Sequence, residues 1–286
     1  MLRRRQRAPK TAPSGTPRAP GPRSHRRPRA DAQVPQELIL TPESLARARK
    51  HKPEPQRPKH EPPREKRGPR GAADVVLVTG FEPFGGDTVN PSWEVCERLP
   101  GEIAGLRVET CRVPCEFRRA IEVVAEAIER HRPALVVCLG LAAGRTHMGV
   151  ERVAINVDDA RIADNAGARP VDGPIAANGP PACFATLPVK AMVAAMRGAG
   201  VPAEVSNSAG TYVCNHLMYG VLHFLASTGQ RARAGFIHVP SSEEQVLDKR
   251  GAPSMAIATM VRGVQAAISA AQGTVRDVKL AAGTLD

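Results

Sequence analysis

A chain of 286 residues that is 42% hydrophobic is long enough for one or two domains with a real core, and it holds neither the apolar segment of a secretory signal nor a run that could span a membrane. Its formal charge of +12 points toward nucleic acid only until it is divided by position: residues 1–73 carry 20 Lys and Arg against 6 Asp and Glu, a net +14, which leaves −2 for residues 74–286. The globular part is therefore not a basic nucleic-acid-binding domain, and any such contact falls to the extension.

That extension holds 14 of the 27 prolines and lacks sustained apolar periodicity, so burial cannot offset its ordering entropy and it is predicted to be disordered. Only residues 36–50 have some helical patterning, with Leu38, Leu40 and Leu45 as weak anchors. One reading is an electrostatic arm for nucleic acid or an anionic surface; an inert extension or a start codon placed too early is the simpler one. Its Arg-rich, acid-poor composition suits an organellar transit peptide, but its prolines oppose the amphipathic helix such peptides form. Six cysteines (Cys96, Cys111, Cys115, Cys138, Cys183, Cys214) lie scattered without a Cys-x-x-Cys pair, which with no export signal predicts free thiols and a cytoplasmic location. Zinc is not expected: Cys111 and Cys115 lack a second pair, and Cys214 with His216 is isolated.

From Asp74 the pattern changes. Val75-Val76-Leu77-Val78-Thr79 is a continuous apolar run ending in Gly80, as in a buried parallel strand. Asn90-Pro91-Ser92 supplies a cap and an early proline for a helix through Leu99. A strand over 106–113 precedes a helix over 115–131 whose one face carries Phe117, Ile121, Val124 and Ile128. Leu135 to Leu139 is a second buried strand closed by Gly140, and Val153 to Val157 a further, alternating one. The Asp/Gly/Pro-rich connection over 158–181 has the length of a functional loop. Helices are predicted over 183–200, 214–228 and 254–272, with strands over 202–206 and 235–240. Alternation of this kind makes one α/β domain over residues 74–286, a sheet with helices on both faces, in which ligands bind at the carboxyl ends of strands.

Cys214 stands where a glycine-containing turn enters the apolar helix over 214–228. Free amide donors and the positive end of the helix dipole favour a thiolate there. A thiolate nucleophile needs a base, and the base needs a partner that sets its tautomer. His238, at the end of an apolar strand before Pro240, is the best-placed base, although a strand-end histidine bonded to a carbonyl has the same pattern. His216 and His223 follow Cys214 by two and nine residues on the same helix and should point elsewhere, while His147 lies in a loop. For the acid, Glu151 in the loop over 144–152 competes with Asp158 and Asp159, and it could equally be a surface partner of Arg145 or Arg152. Periodicity does not choose among them.

Four blocks carry a resemblance. Gly80-Phe81-Glu82-Pro83-Phe84-Gly85-Gly86 with Asn90-Pro91-Ser92, then Gly144-Arg145 with Glu151-Arg152-Val153-Ala154-Ile155-Asn156, then Gly210-Thr211-Tyr212-Val213-Cys214-Asn215-His216, then Gly235-Phe236-Ile237-His238-Val239-Pro240 resemble, in order and spacing, the signatures of the pyroglutamyl peptidase I (pyrrolidone carboxyl peptidase) family. The resemblance runs from about Val75 to about Ile268 and leaves the extension outside. It implies an α/β/α sandwich with a mostly parallel sheet, Glu151, Cys214 and His238 as catalytic residues, no metal or organic cofactor, and a homotetramer. The implied reaction removes the N-terminal pyroglutamyl residue of peptides through a thioester, with Phe81, Phe84, Tyr212 and Val213 walling a pocket for the flat, neutral lactam and Asn90 among the substrate-binding residues. Tyr212 stands where the family commonly has Phe, and residues 146–150 differ from its usual lead into the glutamate. The alternatives are another thiol hydrolase on the same sandwich and a nucleic-acid-associated protein bound through its basic extension.

Overall fold

The computed structural model describes residues 75–283, so the basic extension, its predicted disorder and the helical patterning of 36–50 lie outside the described residues. Val75–Phe81 (β1), Leu106–Val113 (β3), Leu135–Leu141 (β4), Met148–Glu151 (β5), Ala203–Ser206 (β8) and Arg233–Val239 (β9) join the short Glu102–Ile103 (β2) in a seven-stranded sheet ordered β2-β3-β1-β4-β9-β5-β8. Pairing is parallel throughout except for β2 with β3 and β5 with β9. Alternate residues of the central strands feed opposite cores. Leu77, Val136, Cys138 and Phe236 face the layer of Arg119–His131 (α2) and Val213–Thr228 (α4). Val76, Val78, Leu135, Val137 and Ile237 face that of Pro91–Glu97 (α1), Val189–Gly198 (α3) and Ile257–Gly273 (α5). A strand buried on both sides has no polar face to show, which is why the central runs read as unbroken apolar stretches. The result is the expected three-layer α/β/α arrangement.

Local sequence explains most boundaries and tertiary contacts the rest. Asn90 is extended, its side chain accepts the Ser92 N–H, and Pro91 opens α1. The helix predicted from residue 115 begins only at Arg119, because Asp164 accepts the Phe117 N–H, His216 accepts the Arg118 N–H, and Arg118 takes φ 64°. Those bonds hold the Cys115–Arg118 segment as a turn. The helix predicted over 183–200 is likewise shortened: Ala182–Phe184 (β7) pairs antiparallel with Val153–Ile155 (β6) in a separate two-stranded sheet, and α3 starts after Pro188. The residue before a proline avoids helical geometry, so the helix cannot reach back to Cys183. The largest correction concerns the loop expected around Glu151. Met148–Glu151 is a buried strand, concealed in the sequence because Gly149 and Glu151 break its apolar pattern.

Among the described residues no helix is long and apolar enough to cross a membrane. The α2 to α4 contact is made by Ile121, 1% exposed, whose side chain fills the space over Gly220. Ile121→Ala should destabilise the domain by about 3 kcal/mol through lost burial and the cavity left behind, read as a lower denaturation midpoint with an unchanged slope.

Candidate active site

The carboxyl ends of β4 and β9 and the amino end of α4 meet on one face of the sheet. Cys214 lies in the first turn of α4, after Tyr212 as the extended cap residue, and is partly buried. Its sulfur sits over the end of β4: a Cβ placed on Gly140 would lie 2.9 Å from Sγ and 2.7 Å from the Phe236 ring. Burial pushes the thiol pKa up strongly, the neighbouring Cys115 and Glu151 add to this, and Arg145 opposes it. Burial thus works against the thiolate that the helix terminus favours, and a base that takes the proton would make the sulfur reactive.

His238 is the histidine that stands beside it. It pairs across the sheet with Gly140 on β4 and Gly149 on β5, so both neighbouring strands lack a side chain beside the imidazole. Its Nδ1 is 2.7 Å from Glu151 Oε1, with the carboxylate fully buried and the imidazole nearly so. An ionised carboxylate can only accept, so Nδ1 carries the proton and Nε2 is left as the proton-exchanging nitrogen. The same Glu151 oxygen accepts a hydrogen bond from Arg145 Nη1 at 3.1 Å, while Oε2 is buried without a hydrogen-bond partner. The three residues thus converge from separate parts of the chain, and Phe236, two residues before His238, packs its ring 4.8 Å from the imidazole.

The rival histidines and acids go elsewhere. His216 is fully buried on the far side of the helix turn, with Nδ1 2.8 Å from Asp158 Oδ2 and Nε2 accepting the Arg118 N–H at 2.7 Å. Asp158 therefore serves a different histidine from the one beside the thiol. Asp159 is an exposed loop residue whose N–H bonds Thr211, His147 is exposed beside Thr146, and His223 stacks on Tyr219. Among the described residues no group of three or more His, Cys, Asp or Glu is arranged to hold a metal.

Beside the sulfur an aromatic wall is built from three loops. Tyr212 contacts Phe84 at 6.2 Å and meets Phe117 edge-on at 5.5 Å, and its hydroxyl donates to the Ala163 carbonyl at 3.1 Å. Asp164 accepts the N–H groups of Phe117, Ala166 and Ala168, and Glu82 accepts from the Cys115 N–H and from Asn165. These bonds tie the connection over 158–173 to the Cys115 turn and to the end of β1. Phe84 and Tyr212 are partly exposed, as walls must be. Phe81 and Val213 are instead buried core residues that support the site from below, Phe81 packing on Phe236. Asn90 is buried, its Oδ1 accepts from the Ser92 N–H and hydroxyl and its Nδ2 donates one bond to the Glu82 carbonyl, so it shapes the loop after β1. In the sequence Phe117, Phe236, Gly140 and Gly149 carry no individual role at the site, and Arg145 enters only as a possible surface partner of Glu151, a pairing the structure does contain; the signal for Phe236 was its two-residue spacing from His238, which puts both on one face.

A family model described as pyroglutamyl peptidase matches residues 74–274. The pyrrolidone-carboxylate peptidase of Cupriavidus taiwanensis is 53% identical over 213 residues, 74% of this chain and 99% of the relative. That of Erwinia tasmaniensis is 51% identical over 209 residues, 73% of this chain and 97% of the relative. Two solved structures share the fold: pyroglutamyl peptidase I from Bacillus amyloliquefaciens, 41% identical with a TM-score of 0.70 over 72% of this chain and 98% of that one, and pyrrolidone carboxyl peptidase from Thermococcus litoralis, 38% identical with a TM-score of 0.70 over the same shares.

Gly140→Ala tests the placement of the sulfur. The added methyl would meet both Sγ and the Phe236 ring, so alkylation of Cys214 by iodoacetamide should slow by about tenfold or more while the far-ultraviolet spectrum stays native. An unchanged rate would mean that the sulfur does not lie over β4.

Proposed function

The chain belongs to the pyroglutamyl peptidase family, and from that premise we propose that Cys214, His238 and Glu151 carry out the hydrolysis. The protein is a cysteine peptidase that removes the N-terminal pyroglutamyl residue from peptides. The observation that supports these three residues is the 2.7 Å bond from His238 Nδ1 to the buried Glu151, beside a sulfur seated over Gly140, the β4 neighbour of His238.

In the first step His238 Nε2 takes the thiol proton as the sulfur attacks the pyroglutamyl carbonyl carbon. The first-turn amides of α4, which have no intrahelical acceptor, and amides of the loop over 140–145 stabilise the oxyanion; such donors are typically worth about 3 kcal/mol each in the transition state. As the tetrahedral species collapses, the imidazolium gives its proton to the leaving amine and a thioester remains. His238 then takes a proton from water, the hydroxide attacks the thioester, and pyroglutamate leaves as the thiol is restored. Glu151 stays ionised and holds the imidazole in the Nδ1–H tautomer throughout. No step requires a metal or an organic cofactor. A lactam ring is flat and uncharged, and the Phe84 and Tyr212 rings, backed by the buried Phe117, offer it an apolar wall close to Cys214.

Residues 1–73 form an extension outside the catalytic domain, a reading supported by a family match that begins at residue 74 and by relatives covered over 97–99% of their own length. Six free thiols suit a reducing cytoplasm. Assembly as a homotetramer accords with the exposed Ile155 and Phe184, which share one face of the β6–β7 pair.

Cys214→Ala and His238→Ala should each lower turnover of a pyroglutamyl coumarylamide by a factor of about 10⁴ or more, and Glu151→Gln by about 10² to 10⁴, with the fold intact by circular dichroism. Near-normal turnover by Cys214→Ala would defeat the assignment. A chain starting at residue 74 should keep the full kcat/KM; a large loss would give the extension a catalytic part.

A further inference from the structure

We propose that Arg145 is a positioning residue of this site, keeping Glu151 ionised so that His238 is held in the tautomer that can accept the Cys214 proton. The inference rests on the catalytic reading above and adds a fourth member to it.

The carboxylate of Glu151 is fully buried and receives both of its hydrogen bonds on one oxygen, from His238 Nδ1 at 2.7 Å and from Arg145 Nη1 at 3.1 Å. Oε2 is buried and accepts none. A buried carboxylate with so few hydrogen bonds depends for its charge on the groups that touch it, and a fixed positive charge is the strongest support such a group can have. His238 cannot supply that charge throughout, because it must be neutral before each proton it accepts. Were Glu151 protonated, it would no longer require a proton on Nδ1, and the imidazole could turn its N–H toward the sulfur instead of its lone pair. Arginine stays charged at every working pH, so it alone of the neighbours holds the carboxylate ionised through the cycle.

The backbone is shaped to admit the guanidinium. Arg145 follows Gly144, which takes φ 86°, and its N–H bonds the Ala142 carbonyl, so the turn after β4 aims the side chain back over β5. There it passes above Gly149, two residues before Glu151 on the same face; a Cβ on Gly149 would stand 2.5 Å from Arg145 Nη1. The side chain is 31% exposed, reaching water at one edge and the buried acid at the other. The charged and titratable groups around the acid and the thiol are His238 from β9, Arg145 from the β4–β5 turn, Cys138 from β4, Cys115 from the turn before α2 and Tyr212 from the cap of α4. Arg145 is the cation among them that pulls the thiol downward against its burial.

The sign is common to all three partners. Removing a positive charge raises the pKa of a carboxylate, of a thiol and of an imidazolium alike, so the acid limb of activity can move only to higher pH. In Arg145→Gln, kcat/KM for a pyroglutamyl coumarylamide should fall about 10- to 100-fold near neutral pH. Its acid limb, and the pH at which iodoacetamide begins to alkylate Cys214, should both rise by about one unit. Arg145→Lys should restore most of both curves. In a Glu151→Gln background, where only the direct pull on the thiol remains, Arg145→Gln should lower kcat/KM by clearly less than it does beside Glu151. That double variant leaves no unpaired buried acid, and it carries the test if the single variant does not fold. Curves for Arg145→Gln that overlay the wild type, or an equal loss with and without Glu151, would overturn the assignment. Alkylation needs no substrate, so it judges Arg145 even if Cys214→Ala retained turnover and the catalytic reading itself fell.

Discussion

The hydrogen bond between Glu151 and His238 exists because β5 runs antiparallel beside β9, with Gly149 opposite His238 and Glu151 opposite Phe236. Side chains alternate along a strand, so a slip of one residue in that pairing would send the acid and the base to opposite faces of the sheet. The parallel pairing of β4 with β9 then sets Gly140 on the other side of His238. One register on each side of a single strand thus decides whether the acid, the base and the nucleophile can meet. The neighbouring glycines follow from it, since Cys214 Sγ occupies the space a side chain on Gly140 would need and the Arg145 guanidinium that of one on Gly149.

Burial sets the electrostatic terms of this arrangement. A sulfur withdrawn from water resists ionisation, and every buried charge has to be matched by a partner held ready in the fold. The proton on His238 Nδ1, the guanidinium on Glu151 and the amides of α4 are such partners. The aromatic wall is similarly a product of long-range bonds. Asp164 and Glu82, neither of them in the triad, fasten the loop over 158–173 and the Cys115 turn around Tyr212.

The domain contains two chemically similar pairs, His238 with Glu151 and His216 with Asp158, each bonded through Nδ1 at 2.7 and 2.8 Å. What separates them is the second ring nitrogen. His216 Nε2 is taken by the Arg118 N–H, so that imidazole is a fixed link between α4 and the turn before α2. His238 keeps Nε2 for proton exchange on the face where the sulfur lies. Composition and spacing are the same kind of evidence for both pairs, which is why the sequence left Asp158 and Glu151 as open alternatives until the family blocks were considered.

The order of strands and helices, the two-sided burial of β1, β4 and β9, the cap at Asn90 and the candidacy of Cys214 and His238 were all legible in the sequence, because each depends on neighbours a few residues away. The strand β5, the late start of α2 and the strand at Ala182–Phe184 were not. Gly149 and Glu151 erase the apolar pattern of their strand, and the turn before α2 is held by acceptors 47 and 98 residues distant. Local pattern records what a residue prefers, whereas the pairing of Glu151 with His238, 87 residues apart, is a matter of which strands lie side by side and in what register. By itself the sequence determined most of the sheet, the presence of the helices and the residues able to do the chemistry; only the tertiary structure decided which acid faces which histidine, because that choice is made by packing across the sheet.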